Sequence, residues 1–371
     1  MYAGIVEKAT EGLGLFAGAV QPCEGEKSMR KLLNTLFVTT QGVYLSKKGE
    51  TVLVRQKRET KIRLPIHTLQ GIVGFGRVLL SPPLMEFCAR RQVGVSFLSE
   101  RGKFLARIQG PVSGNVLLRR EQYRWADDLD RCAEIARAII IGKVASQRNV
   151  LMRALRDHPE ITGQAELSQA VEQLATYLSQ LKHPDSLDCL RGIEGAAGKA
   201  YFQVFDHLIL GQKDQFFLRH RNRRPPKDRM NALLSFLYTL LAHDVTSALE
   251  TVGLDPAVGF LHRDRPGRMG LALDLMEELR PILADRLALS LVNRNQIVGK
   301  GFKQTDSGAF LMDDATRKEL LVSYQKRKQE EIQHPFLDEK CPLGLVPFIQ
   351  SLLLARYIRG DLDGYPTFVW K

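Results

Sequence analysis

Between Thr35 and about Pro111 the apolar positions fall in short runs: LFVTT, GVYLSK, TVLVRQ, TKIRLPI, LQGIVGFG, GVSFLS and FLARIQG. Each run is rich in β-branched or aromatic residues and ends at a turn signal such as Lys47-Lys48-Gly49-Glu50 or Glu100-Arg101-Gly102-Lys103. That pattern predicts strands. One helix interrupts them, opened by Pro82 and Pro83 and carried on through Leu84–Arg91. Beyond the joint Pro111-Val112-Ser113-Gly114-Asn115 the period changes, and apolar residues recur every three and four positions. Helices are predicted over Leu117–Trp125, Leu129–Leu155, Glu166–Leu181, Leu187–Leu210, Asp228–Val252, Leu271–Asn295, Asp313–Glu331 and Leu343–Tyr357, with a short β-like excursion at Gly301–Leu311. The expected fold class is therefore α+β. A β-sandwich or barrel-like domain over 29–111 is followed by a linker at 112–115 and a larger all-α domain over 116–371.

The two ends stand apart from this pattern. Residues 1–28 are rich in Gly and Ala and carry acids at Glu7 and Glu11 before a short, glycine-broken apolar run. They do not read as a signal peptide, and a flexible leader is expected. At the other end, Gly364-Tyr365-Pro366-Thr367-Phe368-Val369-Trp370 is an aromatic stretch too short for its own core, so it must dock on something or stay loose. No apolar run approaches the roughly 18–20 residues that cross a bilayer, and no membrane association is expected. Cys23, Cys88, Cys132, Cys189 and Cys341 lie far apart and never in a C-x-x-C pair. This excludes a zinc, iron–sulfur or disulfide framework and favours a reducing, cytoplasmic setting.

Charge changes the picture more. With 53 basic against 41 acidic residues the chain carries +12, a balance that suits a polyanionic partner, nucleic acid first. The densest basic run is Arg219-His220-Arg221-Asn222-Arg223-Arg224-Pro225-Pro226-Lys227-Asp228-Arg229. It is a solvated linker by composition, yet Arg219, Arg221, Arg223, Arg224, Lys227 and Arg229 would also grip phosphates. Lys48, Arg55, Lys57, Arg58, Lys61 and Arg63 form a second patch, and Arg263, Arg265 and Arg268 a third beside His262.

The candidate chemistry is sparse. Glu194 sits among Gly192, Gly195, Ala196, Ala197, Gly198 and Ala200 on an otherwise helical pattern. So many small residues cost helix propensity, which close approach of a backbone or a ligand would offset. His262 ends an apolar run, and Asp274 and Glu277 share one side of the helix that follows, while Glu278 points about 100 degrees away and toward solvent. An imidazole beside two carboxylates can hold a divalent metal. The same residues equally make an ordinary loop, a hydrogen-bonded structural histidine and a solvated helix face.

Taken together, GIEGAAGKAYF, RPPKDRMNALLSFLYTLL and GLDPAVGFLHRDRPGRMGLALDLMEELRP resemble the CRISPR-associated integrase-endonuclease of spacer acquisition, the Cas one family. FLSERGKFLARIQGP and DLDGYPTFVWK look most like type I-C members. The resemblance runs from about Met29 onward and implies a β domain used for dimerisation and a helical domain holding one metal site. It places metal ligands at Glu194, His262 and Glu277, a supporting acid at Asp274, and Asn231 and Tyr238 near the site. It further implies Mg²⁺ or Mn²⁺, DNA cleavage and 3′-hydroxyl strand transfer on duplex or branched DNA with little sequence preference, and a homodimer. Its expected partners are a small ferredoxin-like CRISPR adaptation protein and, in a type I-C-like system, a Cas four-type nuclease. The rival readings are a non-catalytic nucleic-acid-binding protein and a general metal-dependent phosphodiesterase acting on RNA.

Overall fold

Strands form where β-branched and aromatic residues alternate with polar ones, because the pleat then turns one face of each run inward. The computed structural model describes residues 34–370 and the pair Leu15–Phe16, except positions 58, 92, 100–103, 109, 111–115, 184, 223 and 224. The strands are β1 (Leu15–Phe16), β2 (Asn34–Val38), β3 (Val43–Lys48), β4 (Thr51–Gln56), β5 (Glu59–Pro65), β6 (Leu69–Phe75), β7 (Val78–Leu80), β8 (Gly94–Leu98) and β9 (Phe104–Ile108). Helix α1 (Pro82–Arg90) lies between β7 and β8. It starts where expected, with Pro82 in its first turn and the Ser81 hydroxyl accepting from Leu84 N at 3.3 Å. Of the expected leader, Leu15 and Phe16 pair antiparallel with Val38 and Phe37, and the rest lies outside the described residues, as does the 112–115 linker.

Two sheets result, ordered β1-β2-β6-β8-β9 and β5-β4-β3-β7. The β3–β4 hairpin turns in two residues between Lys48 and Thr51, with Gly49 at φ 59, the positive φ such a loop needs at its first position. Other pairings are long-range: β2 runs parallel to β6, and β6 parallel to β8. Leu36, Ile72 and Val95 of one sheet join Val43, Leu45, Val52 and Val54 of the other in one apolar core, with Leu84, Phe87 and Cys88 of α1.

The helical part contains α2 (Val116–Asp127), α3 (Leu129–Asp157), α4 (Gln164–Gln180), α5 (Leu187–Val204), α6 (Arg229–Val252), α7 (Gly270–Met276), α8 (Arg286–Asn293), α9 (Asp314–Gln329) and α10 (Val346–Ile358). It is not purely helical. Two small hairpins, β10 (Phe302–Gln304) with β11 (Phe310–Met312) and β12 (Glu331–Gln333) with β13 (Lys340–Pro342), interrupt it. The chain divides into two compact units, one of Met1–Ser113 with Arg317–Glu330 and one of Gly114–Thr316 with Glu331–Lys371. Most of α9 thus belongs with the strand-rich unit, where the buried Arg317 guanidinium lies 5.8 Å from the Phe75 ring centre.

The helix expected over Asp228–Val252 forms, but two other expectations need correction: that no apolar run is long enough to cross a bilayer, and that Leu271–Asn295 is one helix. By length and mean hydropathy (1.3), α6 is the one helix among the described residues apolar enough to cross a membrane. Met230, Leu233, Leu237, Leu241, Val245 and Leu249 are buried against the rest of the unit, as a core helix requires. The helix expected over Leu271–Asn295 is broken instead: α7 stops at Met276, a π-turned stretch covers Arg280–Asp285, and α8 follows. Pro281 has no N–H to offer the carbonyl one turn back, so the α ladder cannot continue there. The described cysteines are free: Cys88, Cys132 and Cys341 are buried and Cys189 is exposed.

Candidate active site

The loop between α6 and α7 crosses the start of α7 at backbone contact. Gly270 N donates to Ala257 O at 3.0 Å. A Cβ on Gly270 would stand 2.7 Å from that carbonyl, and one on Gly259 2.7 Å from Asp274 Oδ2, so both positions require glycine. This approach brings the fully buried Asp274 carboxylate under the loop, where Oδ2 accepts from Phe260 N at 2.6 Å and Leu261 N at 2.9 Å. Its Oδ1 accepts from His262 N at 3.0 Å and lies 2.6 Å from His262 Nδ1. Asp274 is therefore committed to the loop and the imidazole. A carboxylate on Nδ1 leaves Nε2 as the nitrogen that can bind a metal, the usual arrangement around a metal-bound histidine.

Glu194 comes from α5 and Glu277 from the residue that closes α7. Both carboxylates pair with one ammonium, that of the buried Lys143 on α3. Lys143 Nζ is 2.9 Å from Glu277 Oε2, an ion pair whose angle makes no hydrogen bond, while Arg280 grips Oε1. Burial pushes the Glu277 carboxyl upward, but the Arg280 and Lys143 charges outweigh it and hold it at about 2. Burial likewise works against the Lys143 ammonium, and Glu277 and Glu194 reverse this to a raised pKa.

Glu194 and His262 line one cavity of about 220 Å³ together with Arg191, Arg263, Arg265 and Arg268. Glu277 lines a second, of about 250 Å³, with Lys143, Arg221, Tyr238, Arg280 and Asp285. Among the described residues no three His, Cys, Asp or Glu side chains already converge as a metal site. Lys143 stands between the two carboxylates instead. The donor set nevertheless suits a hard divalent cation: two carboxylates already share a positive charge, and a buried Glu277 oxygen has no hydrogen bond. Of the small residues around Glu194, Ala197 and Ala200 are buried in the core, whereas Gly192 and Gly195 do not serve chain packing, since a Cβ on either would meet nothing within 4 Å.

The basic candidates divide by what they touch. Arg263 and Arg265 are exposed, and Arg263 reaches Asp188 at 3.1 Å. Arg268 donates to Arg263 O at 3.2 Å and closes the loop. Arg219 and Lys227 are exposed, whereas Arg223 and Arg224 lie outside the described residues. Arg229 is turned to structure, donating to Gly299 O at 3.1 Å and Gln215 O at 3.0 Å. The fully buried Asn231 accepts from Arg221 at 2.6 Å and Asn222 N at 3.0 Å, and donates to His220 O at 2.9 Å and Asp228 Oδ2 at 2.6 Å. It shapes the root of the basic loop. Tyr238 donates to Asp285 Oδ1 at 2.6 Å, with the Arg221 and Arg280 guanidinium groups 5.1 and 5.0 Å from its ring centre.

Glu278 does not face solvent. It is wholly buried, accepting from Tyr365 OH at 2.7 Å and Phe368 N at 2.6 Å, and burial lifts its carboxyl to about 7. Asp274, Leu275, Met276, Glu277, Glu278 and Leu279 are all buried, so this stretch has no solvent face and the adjacent acids both lie inside. Lys143, Arg280 and Asp285 carried no sequence signal beyond being charged residues in apolar helical runs, which marks a buried ion only once its partner is known.

The family model for CRISPR associated protein Cas1 matches residues 36–326. This chain belongs to the Cas1 family. It is 55% identical over 343 residues to CRISPR-associated endonuclease Cas1 1 of Chlorobaculum tepidum, covering 92% of this chain and 100% of the relative. It is 51% identical over 347 residues to CRISPR-associated endonuclease Cas1 2 of Rhodospirillum rubrum, with 92% and 100% covered. A solved casposase bound to integration product shares the fold at a TM-score of 0.77 and 22% identity, covering 91% of this chain and 94% of that one. The expectations of a strand-rich start, a larger helical part and a CRISPR-associated endonuclease all hold.

Proposed function

We propose that this Cas1 chain cuts and joins DNA at one divalent-metal site, inserting spacer DNA into a CRISPR array. Glu194, His262 and Glu277 are the metal ligands in this reading, and Asp274 holds the imidazole without binding metal itself. The observation that carries it is that Glu194 and Glu277 share a single positive charge while Asp274 occupies His262 Nδ1. Bound there, Mg²⁺ or Mn²⁺ would polarise the scissile phosphodiester and stabilise charge on the oxygens in line with it, with imidazole favouring Mn²⁺. Arg263, Arg265 and Arg268 hold the backbone on the His262 side, and Arg221 and Arg280 on the Glu277 side, so binding is sequence-tolerant. Attack by water yields cleavage, and attack by a DNA 3′-hydroxyl yields strand transfer.

The strand-rich unit, read as a sandwich over 29–111, serves as the dimerisation surface of a cytoplasmic homodimer of the type I-C kind. A small ferredoxin-like partner joins two such dimers; a solved Cas6-RT-Cas1–Cas2 complex, whose Cas1-like portion has this fold, supports that pairing. A Cas4-type nuclease is a further partner, since a relative from Geobacter sulfurreducens is a Cas4/Cas1 fusion.

Glu194→Ala and His262→Ala test the site. Each variant is expected to fold and bind DNA but to lose Mn²⁺-dependent cleavage and strand transfer. Full activity in both would remove the ligand assignment.

A further inference from the structure

The segment Gly364–Trp370 returns to the helices directly behind the acidic cluster. Phe368 is fully buried and Tyr365 nearly so. The segment meets α7's end through Glu278, whose Oε1 accepts from Tyr365 OH at 2.7 Å and whose Oε2 accepts from Phe368 N at 2.6 Å. Gln350 of α10 completes the latch, its Nε2 lying 3.1 Å from Glu278 Oε2, 2.8 Å from Tyr365 OH and 3.1 Å from Pro366 O. The segment meets α3 through Gly142, where a Cβ would collide with Thr367 Oγ1 and stand 3.1 Å from Glu278 Cγ and 3.2 Å from Phe368 O. Farther along, Asn149 Nδ2 donates to Trp370 O at 2.7 Å, and the Arg286 guanidinium lies 4.6 Å from the Trp370 ring centre.

These two anchor points have informative neighbours. Glu278 follows Glu277, and Gly142 precedes Lys143. The segment is thus seated one residue from each member of the ion pair that closes the cluster. A strap needed only to cover a core would be held by apolar contacts, which are cheaper to bury than a carboxylate. Directed hydrogen bonds instead fix where the backbone at the end of α7 sits, in the stretch where Pro281 has interrupted the helix.

We propose that Gly364–Trp370 is a positioning strap that sets the placement of Glu277 and Lys143, and with them the affinity of the cluster for its metal. The proposal rests on Glu194, His262 and Glu277 being the ligands. The test is Mn²⁺ binding by calorimetry to three full-fold-checked proteins: the wild-type chain, Tyr365→Phe and a chain stopped after Gly364. Tyr365→Phe keeps the ring and its packing and removes the hydroxyl's two bonds, the one it donates to Glu278 and the one it accepts from Gln350. It is expected to bind Mn²⁺ about tenfold more weakly, the low end of what losing an outer partner costs a metal site, with metal-free DNA binding unchanged. The shortened chain should bind more weakly still, and the peptide GYPTFVW added in trans should restore it. If the shortened chain fails to fold, Tyr365→Phe decides alone. Wild-type binding with unweakened binding by Tyr365→Phe overturns the strap and leaves the ligands standing. A wild-type chain that binds no Mn²⁺ overturns the ligand assignment, and the strap with it.

Discussion

His262 Nδ1 lies 2.6 Å from Asp274 Oδ1, on a carboxylate that also accepts three backbone N–H groups. One buried acid therefore fixes both the path of the loop and the face its histidine presents. Asp274→Asn retains an acceptor for the loop but replaces a carboxylate beside the imidazole with an amide. Metal affinity is expected to fall by about 10- to 100-fold, with about 1.5–3 kcal/mol of stability lost. Metal titration and a melt on the same sample separate the two effects. Unchanged affinity would mean that Asp274 serves the loop alone.

Lys143 makes a second, opposite prediction. It places a charge among buried acids that a divalent ion would also satisfy. In Lys143→Met, Glu277 keeps Arg280 but loses its second partner, and Glu194 loses its ammonium. Removing one partner of a buried ion pair costs about 3–5 kcal/mol, so the variant should be much less stable in chelator. Mn²⁺ should then stabilise it more than it stabilises the wild type, because the ion enters without displacing an ammonium. Melts with chelator and with Mn²⁺ give both numbers. An equal Mn²⁺ shift in the two proteins would argue against the shared site.

The arginines of the loop offer a test by salt. Arg263, Arg265 and Arg268 rim the cavity that holds Glu194 and His262. Each phosphate contact contributes about 0.9 to the slope of log affinity against log salt on duplex DNA. Replacing all three by Gln should weaken binding across sequences and reduce that slope by roughly 2–3. A slope that does not move would place the DNA elsewhere.

Strands and helices were legible because each depends on local period. Residues 59–65 and 129–157 show it, their buried apolar positions recurring at two and at three to four residues. Pairings between distant segments were not. Nothing local tells β2 to run beside β6, or Arg317–Glu330 to join the strand-rich unit. The candidate site divides in the same way. Glu194, His262 and Glu277 were named through resemblance, while Lys143 and Arg280, which neutralise them, read as ordinary helical cations. Glu278 was misplaced because one side of the helix was expected to meet water, whereas residues 274–279 are buried all round.

Asp285 supplies a pH test apart from the ligands. It accepts from Tyr238 OH at 2.6 Å and Tyr201 OH at 3.2 Å, and burial, partly offset by these bonds and by Arg221 and Arg280, lifts its carboxyl to about 6. In the unfolded chain the same group titrates near 3.9. Between those values the folded protein keeps a proton that the unfolded chain has released. The contribution to stability is thus fully present below about pH 4 and lost as pH rises through about 6. A displacement of about 2 units corresponds to something on the order of 3 kcal/mol. Asp285→Asn keeps an acceptor for both hydroxyls and has no proton to lose. Its stability relative to wild type should therefore climb by that order between pH 4 and 6.5, then level off. Glu277 does not blur the window: its carboxyl is held at about 2, so its contribution is present above about pH 4.5 and lost only as pH falls from there through about 2. Urea melts of both proteins across pH 4–7.5, followed by helical circular dichroism, measure the difference directly. A difference that stays constant over that range would mean that Asp285 is ionised in the folded protein throughout, with the two tyrosine hydroxyls, Arg221 and Arg280 together outweighing its burial.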